Sequence, residues 1–215
     1  LASRSIAQRR PFGDVSHGTL AWDNEWAMDA TTTTIVNAIL HVSRKSGTLP
    51  TRDPAATADA LRSVCAEWES HARGLVTPEL KESPAWAAYE MKILELGRAL
   101  DLLIRKLGLW RGKGDVLDAA AFIIAERRYG RGRKSWIATL GEHGEGHYGR
   151  ELASVLTDEE MAGYAMKALL RARNGEYAAE VIAAADHART WVKNTARAYV
   201  DSFHPTALSR LSSHE

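Results

Sequence analysis

Four apolar runs at helical spacing that stop at a basic residue, any residue and a glycine constrain this chain more than anything else in it. They close at Lys45-Ser46-Gly47, Lys106-Leu107-Gly108, Arg128-Tyr129-Gly130 and Arg173-Asn174-Gly175. A cation in a last helical turn opposes the partial negative charge of the unpaired carbonyls. A glycine just beyond it can take the left-handed conformation that ends a helix. Period-two alternation is absent and β-branched residues are scattered, so strands have no support. The expected fold is all-α.

The stretch Met161 to Arg189 reads as two helices folded back on each other around Gly175. Tyr164, Ala168, Leu169 and Ala172 form an apolar stripe on the first, and Tyr177, Val181, Ile182 and Ala185 start a second. Ala178, Ala179, Ala183 and Ala184 are small enough for the two to approach closely.

Elsewhere the helices announce themselves in order. Thr31 to Thr34 offer cap oxygens before Ile35, Ile39, Leu40 and Val42. Asp53-Pro54 supplies a cap and a first-turn proline for a helix carrying Ala58, Leu61, Val64, Cys65 and Trp68. From Pro84 to Leu107, Trp86, Tyr89, Ile93, Leu96, Leu100, Leu103 and Leu107 keep one face apolar for several turns. Val116 to Glu126 is apolar nearly all round, which predicts burial on most sides. Ser135 to Leu140 reads as a short helix before a glycine-rich link, GEHGEGHYG, expected to be a flexible surface loop. Trp191 to Phe203 is a last helix, stopped by His204-Pro205. Three segments follow: an extended arm over 1–23, a helical-repeat domain over 24–204 and a polar tail over 205–215.

With 45% hydrophobic and 26% charged residues among its 215, the chain is globular and can build a substantial core. A formal net charge of +1 gives no overall field for nucleic acid or an anionic membrane. No run approaches the roughly eighteen apolar residues of a spanning helix. The single cysteine, Cys65, leaves no internal disulfide framework and suits a reducing compartment.

Chemistry-bearing constellations are sparse. His143 and His147 stand four apart, but Gly141, Gly144, Gly146 and Gly149 argue against the helix that would let them share a metal. Arg111-Gly112-Lys113-Gly114 lacks the strand and the hydroxyl residue of a phosphate loop. Cys65 falls on an apolar helix face, where a thiol packs rather than attacks. The reading is therefore non-enzymatic, with no catalytic, cofactor or metal residues. Arg127, Arg128, Arg131, Arg133 and Lys134 form a dense basic patch interleaved with Tyr129 and Trp136, open to phosphate or an acidic partner. Tryptophan is enriched at interface hot spots, and the chain has 7. The partner-binding residues expected are Phe12, Trp22 and Trp26 from the arm region, with Arg128, Arg131, Arg133 and Trp136 from the patch.

Two segments, VNAILHVSRKSG from Val36 and YAMKALLRARNG from Tyr164, resemble the first helix of a pentatricopeptide or tetratricopeptide-like repeat. The resemblance implies antiparallel helical hairpins stacked as a short, irregular α-solenoid. Pentatricopeptide arrays choose RNA bases with a polar residue just after each opening position. Asn37 fits that role, Ala165 does not, and the windows opening at Gly97 and Ala119 are worse. The resemblance is thus to repeats that bind protein, with organellar RNA binding as the alternative. In overall character the chain resembles the pentatricopeptide-like subunits that attach to the F1 α subunit of euglenozoan mitochondrial ATP synthases. LASRSIAQRR, rich in Arg and Ser and without acids, resembles organelle transit segments, which leads to a mitochondrial matrix expectation. The expected partners are protein subunits of a larger assembly.

Overall fold

The computed structural model describes residues 29–44, 53–75, 84–107, 113–186 and 188–204. Phe12, Trp22 and Trp26, with the whole 1–23 arm and the 205–215 tail, lie outside the described residues. Within them the chain forms α1 (Ala30–Arg44), α2 (Pro54–Leu75), α3 (Pro84–Leu107), α4 (Lys113–Ala125) and α5 (Lys134–His143). It continues through α6 (Gly149–Ser154), α7 (Ala162–Arg171), α8 (Ala178–Ala185) and α9 (Thr190–Phe203). Two 3-10 segments, Arg127–Arg133 and Val155–Thr157, complete the set. No strand occurs among the described residues, so the fold is all-α.

The helices form two layers. In the first, α1 packs on α3, α3 on α5, α5 on α7 and α7 on α9. In the second, α2 packs on α4 and α4 on α6, while α8 reaches the 3-10 turn that follows α6. Across the layers α2 meets α1 and α3, and α4 meets α5, α6 meets α7, α8 meets α9. Stacked helix pairs of this kind bury a continuous core that no single pair could bury alone.

The core follows the sequence stripes closely in the first half. Ala58, Leu61, Val64, Cys65 and Trp68 of α2 are buried, as are Tyr89, Ile93, Leu96, Leu100 and Leu103 of α3. In α4, Val116, Leu117, Ala119, Ala120, Ala121, Ile123 and Ile124 are all buried, with Asp118 and Phe122 exposed between them. The Asp53 carboxylate accepts from the Ala55 N–H at 3.0 Å, capping α2. The cap of α1 is Asp29, whose Oδ1 accepts from Thr31 and Thr32 N–H at 2.9 and 3.0 Å. The threonines expected to cap α1 instead lie within it, and Thr34 turns back to the Ala30 carbonyl.

The second half departs in an instructive way. α7 and α8 do not close on each other; α7 is held by α5, α6 and α9, and α8 by α9 and the 3-10 turn after α6. The turn at Gly175 therefore joins two helix pairs rather than closing one. The buried face of α7 is Ala162, Gly163, Ala165, Met166, Ala168 and Leu169, with Tyr164 and Ala172 only half-buried at its edges. A Cβ at Gly141 of α5 would lie 2.6 Å from the Ala168 Cα, and one at Gly163 would lie 2.2 Å from the Trp191 ring. Close approach in this layer thus uses α7 against α5 and α9, whereas Ala179 and Ala183 of α8 face solvent.

The end of α7 also differs from expectation. Asn174 N–H reaches back to Leu169 O at 3.0 Å and Arg173 N–H to Leu170 O at 3.2 Å, the paired bonds of a Schellman motif. Its left-handed residue is Arg173, with φ of 52°, and not Gly175. Gly175 is required for a different reason, since a Cβ there would come within 2.8 Å of the Phe203 ring.

Candidate interaction surface

The basic patch is built by the link between α4 and α5. After Ala125 the chain turns through the 3-10 segment, and Gly130 adopts φ 49° and ψ −135°, a conformation open to glycine and strained for other residues. A side chain there would also collide with Glu90, whose Oε1 accepts from the Arg131 N–H at 2.9 Å. The segment is thus pressed onto α3, and its arginines fan out from that anchor.

Each arginine finds a partner within the chain. Arg127 donates to Thr157 Oγ1 at 2.8 Å. Arg128 pairs with Glu126 at 3.1 Å and with Glu69 of α2 at 3.6 Å, and lies over the Tyr129 ring. Arg131 pairs with Glu160 at 3.0 Å. Arg133 is only 3% exposed; it donates to Gly130 O at 2.9 Å, to Ile124 O at 3.2 Å and to the Asp158 carboxylate. Trp136 is fully buried and donates its indole N–H to Ile93 O at 3.0 Å. Arg133 and Trp136, read from sequence as surface contacts, therefore lie inside the protein. The dense cationic run buckles the α4–α5 link to α2, α3 and the connection before α7. Alternating charge and aromatic residues in a short link look the same in sequence whether they face solvent or a neighbouring carboxylate.

The histidine and glutamate cluster also resolves into separate contacts. His143 Nε2 lies 2.8 Å from Asp101 Oδ1 of α3. Glu142 takes Arg171 at 2.8 Å and Arg105 at 3.7 Å. Glu145 binds Lys113, and this ion pair lowers the carboxyl below its usual range. The link expected to be a flexible loop is instead tied down. α5 runs on to His143, α6 starts at Gly149, and Tyr148 between them donates to Asp118 at 2.8 Å. Cys65 is buried among apolar groups, which pushes its thiol pKa up and leaves it un-ionised.

A different surface carries open charge. Lys134, Ala138, Tyr164, Lys167, Ala168, Leu170 and Arg171 line a groove of about 460 Å³ between α5 and α7. Its floor is apolar (Ala138, Ala168, Leu170) and its rim is cationic. Lys134 Nζ sits 5.0 Å from the Tyr164 ring centroid, and Lys167 Nζ sits 5.1 Å from that of Trp191. The two rings meet edge-on at 5.4 Å. Trp191, at 36% exposed, is one of the large apolar side chains open to solvent. Neither lysine has a salt bridge among the described residues; both are held over π faces, an attraction that keeps their charge outward. Of the seven tryptophans, Trp68 and Trp136 are core and Trp86 is half-buried, so Trp191 alone among the described ones is exposed. Sequence held a signal for this groove: Tyr164, Lys167 and Arg171 recur at helical spacing on one side of α7. It was masked because Tyr164 also fits the apolar stripe.

No family model, no curated protein and no solved structure matches this chain.

Proposed function

We propose that this protein is a non-catalytic structural or interaction subunit, held in a larger protein assembly by the outer faces of its helical layers. The observation that supports this best is the α5–α7 groove beside Trp191, an apolar floor with unneutralised lysines on an all-helical scaffold. Solenoid-like stacks present extended surfaces of this type to partners. Following the sequence resemblance, the assembly is an organellar one, and the F1 part of mitochondrial ATP synthase is its most specific form. RNA binding is the less favoured alternative, since the arginines between Arg127 and Arg133 each have a partner within the chain, in Thr157, Glu69, Glu160 and Asp158. The arm residues Phe12 and Trp22 remain proposed anchors on the partner.

The test is retention. The full chain and a version lacking residues 1–19 are compared for binding to purified mitochondrial F1 and, by mass spectrometry, for the proteins that co-purify at moderate salt. Stoichiometric co-purification of defined protein subunits is expected, weakened by loss of the arm with little change in melting temperature. A chain that purifies alone at low salt, or carries only RNA, would overturn the reading.

A further inference from the structure

The α5–α7 groove is specific enough to name the chemistry of what it takes. We infer that it binds an acidic peptide segment of a partner protein, one that sets an aliphatic side chain between flanking carboxylates. This rests on the interaction-subunit reading above and narrows it to one site.

Three features select the occupant. The floor is formed by Ala138, Ala168 and Leu170, small or half-covered side chains that leave room for a branched aliphatic group. Its rim holds Lys134 on one helix, and Lys167 and Arg171 on the other. Arg171 already shares Glu142 at 2.8 Å, so the uncommitted charges are the two lysines. An incoming carboxylate can pair with each while its neighbouring side chain loses apolar surface to the floor. Burial of that side chain supplies affinity, and the paired charges fix register and exclude basic sequences.

The same geometry disfavours a nucleic-acid strand. Single strands bind by stacking bases on open aromatic faces. Here the Tyr164 ring carries the Lys134 ammonium and the Trp191 ring carries the Lys167 ammonium, each about 5 Å from the centroid, and the rings meet edge-on. No stacking platform is left between them, and two free lysines are too few to track a phosphate backbone.

The experiment uses the full chain and a short fluorescein-labelled peptide of repeating Asp-Glu-Leu units, read by anisotropy. A peptide of Asn-Gln-Leu units and an oligouridylate serve as comparison ligands. Two variants probe the groove: Lys134→Glu with Lys167→Glu, which reverses the rim, and Ala138→Trp, which fills the floor from an exposed position. Circular dichroism establishes that each stays folded, and the second variant stands alone if the first does not. The acidic peptide is expected to bind, with affinity falling about tenfold or more in either folded variant. The Asn-Gln-Leu peptide is expected not to bind. Absence of peptide binding, unchanged binding in either folded variant, or displacement of the peptide by oligouridylate would each overturn the inference. Retention on the protein assembly together with absent peptide binding would overturn this site while leaving the interaction-subunit reading intact.

Discussion

Arg173 and Gly175 lie two residues apart and have exchanged the roles their chemistry suggests. The left-handed position that closes α7 is occupied by Arg173, and the glycine is spent on contact with Phe203. A non-glycine residue at such a φ carries a cost of about 1 kcal/mol. Arg173→Gly is therefore expected to stabilise the protein by up to about 1 kcal/mol, because the strain relieved outweighs the entropy gained by the unfolded chain. Gly175→Ala is expected to destabilise it, since Phe203 and the His204 bond to Gly175 O would have to shift. Thermal denaturation followed at the helical ellipticity band checks both. If Gly175 were closing the helix, Arg173→Gly would be neutral or harmful. Sequence placed this turn to within two residues but not its mechanism, because a basic-x-Gly ending fits both arrangements. Asp29 shows the same limit: one acid before four consecutive threonines left several residues able to cap α1, and only backbone geometry chose among them.

At the scale of an element, the 3-10 link between α4 and α5 contrasts two arginines. The side chains of Arg131 and Glu160 are 61% and 52% exposed, whereas those of Arg133 and Asp158 are 4% and 16% exposed. An exposed pair is worth at most about 1 kcal/mol, while removing one partner of a buried pair costs about 3–5 kcal/mol by stranding the other charge. Arg131→Ala should thus be nearly silent. Arg133→Met should lower stability by several kcal/mol, with partial recovery when Asp158→Leu is added. Urea titration of the four proteins measures this, and equal costs at the two positions would show that the link is solvated. Long elements are legible because their stripes run for many turns: α3 spans Pro84–Leu107 as its stripe predicts, and Tyr89, Ile93, Leu96, Leu100 and Leu103 of that stripe are buried, with Trp86 half-buried. Short elements are legible only in part: Ser135 to Leu140 reads as a helix and α5 runs Lys134–His143, whereas α6 falls among glycines that break the pattern. The pairing of α7 with α9 depends on Gly163 meeting Trp191, a contact between distant residues. The groove was missed for a related reason, since its two walls belong to different helices.

For the molecule as a whole, buried and half-buried phenols are expected to govern stability at alkaline pH. Tyr89, Tyr129, Tyr148, Tyr177 and Tyr199 are all held above the ordinary phenol value, with burial as the leading cause in each. Tyr129 is pushed up to about 12. In the unfolded chain these groups ionise near pH 10. Between about pH 10 and 12 the unfolded state therefore binds fewer protons than the folded one, and stability falls as pH rises. Loss of helicity and growth of tyrosinate absorbance should coincide in that window; ionisation with helicity intact would show that the phenols are open to solvent. The buckle at Arg133 has a further consequence for the order in which the chain can be made. Asp158 is synthesised 25 residues after Arg133. Until the chain as far as Asp158 has left the ribosome, a guanidinium drawn in beside Ile124 would meet no carboxylate. Chains that end between Arg133 and Asp158 are consequently expected to hold the α4–α5 link less firmly than the full chain, with a buried charge left unanswered.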